Sequence, residues 1–264
     1  MSDLGKIKFL RLAGEELSRV KTRDGIGLLA EKRLHGTLKR WIVEDEACHE
    51  VKIVGRGVKK RRFVADVLTP TGEIFEIQTG KLYPLRGKID FYMQETDYPV
   101  TVLHPLFREK WITWLDPATG EVTGRKKSPL HENPLHAVAQ LKPFIPYLTS
   151  KRLALCLPAI EVEEFRLLDG WGKGGKRGSH RYELIPIALL DTLWLRTWAD
   201  YAALFPEDEH LATPFTAKVF AKATGLKGYA LYDTLAVFEA LGIIEKCGKE
   251  GRATTWRRVA HAPQ

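Results

Sequence analysis

No apolar run in the sequence approaches the roughly 18 residues that a membrane-spanning helix needs, and the N-terminal MSDLGKIKFLRLAGEEL lacks the apolar core of an export signal. A cytoplasmic chain with no membrane partner is the expectation. Cysteine is scarce: Cys48, Cys156 and Cys247 are the three in 264 residues, far apart and without C-x-x-C spacing. Neither a disulfide framework nor a cysteine-based zinc site is suggested. A nucleotide-binding P-loop is missing as well. The glycine-rich segment from Asp169 to His180 holds five glycines and three basic residues, but not in the order G-x-x-x-x-G-K-[ST] that cradles phosphates.

What is present is the composition of a soluble globular protein, 44% hydrophobic and 28% charged. The length suits one large or two ordinary domains. Lys and Arg number 41 against 33 Asp and Glu, a net charge of +8, which favours a polyanionic partner and makes nucleic acid the first candidate.

The chain is organised around Arg61 to Gly80, RRFVADVLTPTGEIFEIQTG. Two short apolar runs, Phe63-Val64 with Val67-Leu68 and Ile74-Phe75 with Ile77, flank the turn residues Pro70-Thr71-Gly72-Glu73, which reads as a β-hairpin. Period-two alternation puts Glu76 and Gln78 on one face of the second strand, and Asp66 lies near the middle of the first. Two carboxylates and an amide oxygen converging on a sheet suit a hard divalent cation, Mg²⁺ or Mn²⁺, with waters in its remaining positions. The same pattern also suits a half-exposed hairpin whose polar residues face water.

Before the hairpin, Leu28 to Val43 carries apolar residues at helical spacing, with Glu31, Leu34, His35 and Leu38 on one side. Glu31 either reaches a neighbouring sheet or pairs with a surface cation. A basic cluster, Lys59, Lys60, Arg61 and Arg62, leads into the hairpin and is a candidate grip for a phosphate backbone, or a solvated face. Behind it, Lys81 to Glu95 reads as an amphipathic helix carrying Lys81, Arg86 and Lys88. Strands are expected at Val100 to His104 and Lys110 to Leu115, a basic turn at Arg125-Lys126-Lys127, and an apolar strand from Arg152 to Leu168. The class is α/β with a mixed sheet.

A helix with Glu31, a strand with Asp66, Glu76-Ile77-Gln78 on the next strand and a basic helix behind them resemble the PD-(D/E)xK nuclease superfamily, over about residues 28 to 115. The resemblance implies a restriction-endonuclease-like fold and metal-dependent hydrolysis of DNA. It makes Asp66 and Glu76 metal ligands, with the carbonyl of Ile77 beside them and Glu31 as an outer or second-metal ligand. Gln78 stands where that family usually has lysine; it can orient a water but brings no positive charge. In some members the lysine sits on the following helix, which makes Lys88 or Lys81 the replacement here. The segments GIGLLAEKRLHGTLKRW, EIQTG and HPLFREKWI are also similar to uncharacterised bacterial proteins that join such a domain to a C-terminal helical one.

Expected domains are 1–168, nuclease-like, and 181–264, with residues 169–180 as a basic glycine-rich linker whose Lys173, Lys176 and Arg177 could lie along a phosphate backbone. In the second unit Ile185 to Tyr201 reads as a helix. Thr213-Pro214 caps another helix that Gly225 ends, and Lys227 to Leu241 is a third. A two-stranded ribbon carrying Lys249, Arg252 and Arg257 follows. The order resembles a winged helix. Outward positions of the third helix hold Asp233, Glu239, Tyr229 and Tyr232 rather than base-reading groups, so modest or nonspecific DNA contact, or a protein interface, is expected there.

These features make a metal-dependent DNA endonuclease the leading expectation, with DNA as partner and a protein partner or a second copy of the chain as further candidates. The alternative is a non-catalytic DNA-binding adaptor or regulator whose carboxylates are structural. A protein-interaction subunit with an incidental basic surface is the third.

Overall fold

The computed structural model describes residues 3–19, 29–57, 60–170, 178–207, 211 and 214–260. Two helices, α1 (Asp3–Arg19) and α2 (Leu29–Ile42), precede three strands, β1 (His49–Val54), β2 (Arg62–Leu68) and β3 (Ile74–Ile77). Helix α3 (Arg86–Glu95) leads to β4 (Val100–Leu103), β5 (Leu106–Leu115) and β6 (Val122–Lys127). A short helix, α4 (Pro134–Ala139), is followed by two long strands, β7 (Leu153–Leu167) and β8 (His180–Leu195). The result is an α/β fold on a mixed sheet of eight strands.

β1, β2 and β3 run antiparallel, whereas β3 pairs parallel with β4 and β4 parallel with β7. β4 and β5 follow one another along a single edge of β7, pairing Val100 with Leu153 and then Leu106 with Ala159, while β8 takes the other edge antiparallel. Helices cover both faces. On one, Leu34, Leu38 and Phe9 meet Ile77, Leu103 and Ile160. On the other, Ile89, Phe91 and Tyr92 meet Ile74, Val102 and Leu155.

β8 corrects the expected helix at Ile185 to Tyr201: that stretch is strand as far as Leu195, and only Trp198–Ala202 (α5) is helical. The eight-stranded sheet therefore runs beyond the expected boundary at residue 180. Leu184 and Leu189 pack toward α1 and α2, and the paired partner β7 supplies the backbone hydrogen bonds that a helix would have made internally. The expected basic turn is likewise the edge strand β6, whose Arg125 and Lys127 reach Glu163 of β7 and Glu109 of β5 at 2.8 and 2.7 Å. The amphipathic helix expected from Lys81 begins only at Arg86, after a 3-10 turn through Pro84. Proline lacks the N–H that the helix interior needs.

The C-terminal unit continues with β9 (Phe215–Thr216), α6 (Ala217–Thr224), α7 (Gly228–Ala240), β10 (Ile244–Glu250) and β11 (Ala253–Arg258), its strands ordered β10-β11-β9. Gly225 ends α6 with φ +72°, the left-handed conformation that glycine adopts without a Cβ penalty. The cap expected at Thr213 lies outside the described residues; α6 begins at Ala217, after Thr216. Phe205, Phe215, Phe220 and Phe238 form the unit's aromatic centre, and this core is continuous with the α3 side of the large sheet.

Candidate functional site

β2 and β3 pair at Leu68 with Ile74 and Val67 with Phe75, then part. The parting strands leave the Ile77 N–H without a ladder partner, and the Asp66 carboxylate takes its place, Oδ2 accepting that N–H at 2.8 Å. Oδ1 stands 3.4 Å from Nε2 of His35 on α2, a contact that falls short of hydrogen-bond geometry, since this buried nitrogen has no hydrogen-bond partner. Burial pushes the Asp66 carboxyl up, but His35 and the Ile77 N–H outweigh it and hold the group below its ordinary value.

Glu76, also on this part of β3, is fully buried. Its two oxygens are gripped separately: Oε2 accepts from Lys88 Nζ at 2.6 Å and Oε1 from the Tyr92 hydroxyl at 2.8 Å. Lys88 and Tyr92 are four residues apart on α3, the spacing that sets two side chains on one helix face. Burial, and after it the negative charge of Asp66, pushes the Glu76 carboxyl up to about 7, against the pull of Lys88 and Tyr92. Burial and the Glu76 carboxylate in turn drive the Tyr92 hydroxyl far upward, so that it stays a donor.

Asp66, Ile77, Gln78, His35, Lys39 and His49 line an open cleft of about 840 Å³ between α2 and the sheet. The Gln78 side chain donates to the Lys81 carbonyl at 3.0 Å, and the Gln78 backbone carbonyl accepts from His104 Nδ1 at 2.6 Å. Burial pulls the His104 imidazole down. Lys81 thus contributes a backbone oxygen, whereas Lys88 brings its ammonium to the carboxylates.

Of the residues expected from sequence, Asp66, Glu76, Ile77, Gln78 and Lys88 come together. Glu31 falls on α2, but its side chain lies outside the described residues, as do Lys59, Lys173, Lys176 and Arg177. Arg61 bonds Glu95 at 3.2 Å and lies over Phe63 and Phe91. Lys60 and Arg62 are exposed beside it. On the ribbon Lys249 and Arg252 are exposed, while Arg257 is held by Glu245 at 2.6 Å. Sequence reasoning gave no part to Tyr92 or to the His35 contact with Asp66. The four-residue step from Lys88 would have found the tyrosine.

Among the described residues, no three acidic, histidine or cysteine side chains converge on one point. The donor chemistry nevertheless suits a hard divalent cation. The charge of Asp66 opposes the ionisation of Glu76 on the adjacent strand, and a cation relieves that opposition.

No curated protein and no solved structure matches the chain. One family model does, a domain of unknown function, DUF8091, over residues 32–196. The match runs from α2 to the end of β8, takes in every described site residue, and leaves out α1 and the C-terminal unit. Covering more than half of the sequence, it establishes that this chain belongs to the DUF8091 family.

Proposed function

We propose that this protein is a metal-dependent DNA endonuclease that hydrolyses phosphodiester bonds, with the C-terminal unit as a winged-helix DNA-binding module. One observation carries the reading: Lys88, twelve residues beyond Glu76, returns its ammonium to 2.6 Å from that carboxylate, where Asp66 stands on the neighbouring strand. This assembles an Asp, a Glu and a Lys at parting strands although Gln78 occupies the expected lysine position. Support also comes from the order of elements, with helix, antiparallel hairpin, a helix carrying Lys88 and a parallel strand matching the resemblance to PD-(D/E)xK nucleases.

Asp66 and Glu76, with the Ile77 carbonyl, are the groups to hold Mg²⁺ or Mn²⁺; when bound, such an ion lowers the pKa of a water and neutralises charge on a phosphate. The chain's own residues do the rest. Lys88 places a positive charge beside the carboxylate pair, suited to stabilising the charge that builds on the phosphate. The Gln78 amide, at the rim of the cleft, orients a water. His35 holds Asp66 in place, and Tyr92 fixes the second oxygen of Glu76.

A second reading has a specific observation in its favour. Both oxygens of Glu76 are already satisfied by Lys88 and Tyr92, and the group is wholly buried, as in a structural ion pair of a non-catalytic DNA-binding adaptor. Incubating the protein with supercoiled plasmid and with branched DNA in Mg²⁺, Mn²⁺ or EDTA, beside Glu76→Ala, separates the two. Nicking that needs metal and Glu76 is the expected result. Binding without cleavage on every substrate would favour the adaptor.

A further inference from the structure

Helix α7, the third of the C-terminal unit, occupies the place of a groove-reading helix, yet it is held on two sides. Leu231, Leu235 and Phe238 are buried in the unit's own core. On the next side Thr234 Oγ1 donates to the Leu135 carbonyl of α4 at 3.2 Å, and Asp233 accepts from Lys142 at 2.6 Å. At about 100° per residue, the arc left free carries Tyr229, Tyr232, Ala236, Glu239 and Ala240. Glu239 is taken by Lys246 at 2.8 Å. The arc therefore offers no guanidinium, ammonium or carboxamide to base edges, the groups that discriminate base pairs in a major groove.

It does offer two tyrosines, Tyr229 at 90% and Tyr232 at 60% exposure. Lys227 directly precedes α7, and Lys222 lies in the last turn of α6, two residues before that helix ends at Thr224. Both ammoniums are exposed and have no acidic partner among the described residues. No side chain caps the α7 N-terminus, so its first N–H groups also point outward as donors. Hydroxyls, ammoniums and free amides are what phosphate oxygens accept from, and they carry no sequence information.

We propose that the start of α7, through Tyr229, Tyr232, Lys227 and Lys222, binds the phosphate backbone of duplex DNA without reading its sequence. The inference rests on DNA being the partner, as in the function proposed above, but not on cleavage. The unmatched positive charge at this surface favours a polyanion over an apolar protein partner.

Fluorescence anisotropy of the full chain with short labelled duplexes of several unrelated sequences, in EDTA, tests it without any chemistry. Affinities should agree across sequences within about threefold, against the about thousandfold or greater ratios of specific binders. Tyr229→Ala with Tyr232→Ala should weaken binding about tenfold or more, at an unchanged melting temperature. Lys222→Gln with Lys227→Gln should lower the slope of log affinity against log salt by about 2. Unchanged affinity in both double variants would overturn the inference and leave the tyrosine arc to a protein partner. A strong sequence preference, or no binding by the natural chain at low salt, would overturn it too. Binding as expected with no metal-dependent nicking would instead retain this surface and remove the nuclease reading.

Discussion

Lys88 donates to Glu76 at 2.6 Å with the carboxylate wholly buried and the ammonium one-quarter exposed. The pair joins α3 to the strand that ends at the cleft. Removing one partner of a buried pair costs far more than the pair contributes, because the other charge is left behind in low dielectric. Lys88→Ala should lower unfolding free energy by about 3 kcal/mol, the low end for such losses because Lys88 reaches solvent. Adding Glu76→Gln should restore part of that loss, and urea denaturation of the two single variants and the double variant measures the coupling. A loss in the double variant equal to the sum of the two single losses would show that the two groups act independently.

The sign of the pH dependence follows from burial. Glu76 is raised from 4.5 to about 7 in the folded chain, so between those values the folded state binds a proton that the unfolded state has released. Its contribution to stability is fully present below the ordinary glutamate range and is lost as pH rises through about 7. The natural chain should therefore lose stability relative to Glu76→Gln across that window, by at most about 1.4 kcal/mol per pH unit for one proton. Denaturation of both at several pH values measures the difference. On the nuclease reading, metal-dependent nicking should rise through the same window, as Glu76 ionises.

Away from the cleft, Glu164 of β7 is fully buried among three cations. Lys110 of β5 is the nearest, with Arg166 at 2.6 Å and Arg181 of β8 at 3.1 Å. Burial pushes the carboxyl up, but these partners more than reverse it. Glu164→Leu should cost about 3–5 kcal/mol by stranding the buried ammonium of Lys110. Pairing it with Lys110→Met should recover most of the loss. Neither change should alter DNA binding by the start of α7, which the same anisotropy measurement checks.

The hairpin was legible because its signals are local. Turn residues around Gly72, which takes φ +82°, separate apolar runs, and Asp66 and Glu76 sit on the strands so defined. The three-dimensional parts were harder to read. Nothing in the sequence shows that β2 and β3 part after Val67, or that Asp66 thereby replaces a ladder partner for Ile77. Lys88 could be proposed as a migrated lysine only together with Lys81; the choice needed the helix to start at Arg86. β8 was misread because both of its faces meet other side chains, so Leu and Trp recur without clean alternation. β6 was misread because an edge strand of Arg and Lys looks like a solvated turn until its neighbours' glutamates are in place. α1 gave no clear stripe: Phe9 and Leu12 are buried, while Leu4, Ile7 and Leu10 on other sides are exposed.

The continuity of the core between the sheet and the C-terminal unit bears on geometry at a larger scale. Thr234 ties α7 to α4 and Asp233 ties it to Lys142 in the 3-10 turn that follows, so packed surface rather than a free linker sets the separation between its tyrosines and the Asp66 cleft. On the nuclease reading proposed above, such a body works as a ruler: a duplex gripped at one end is metered at the other, so the position acted on is set by an offset from the grip and not by the letters it contains.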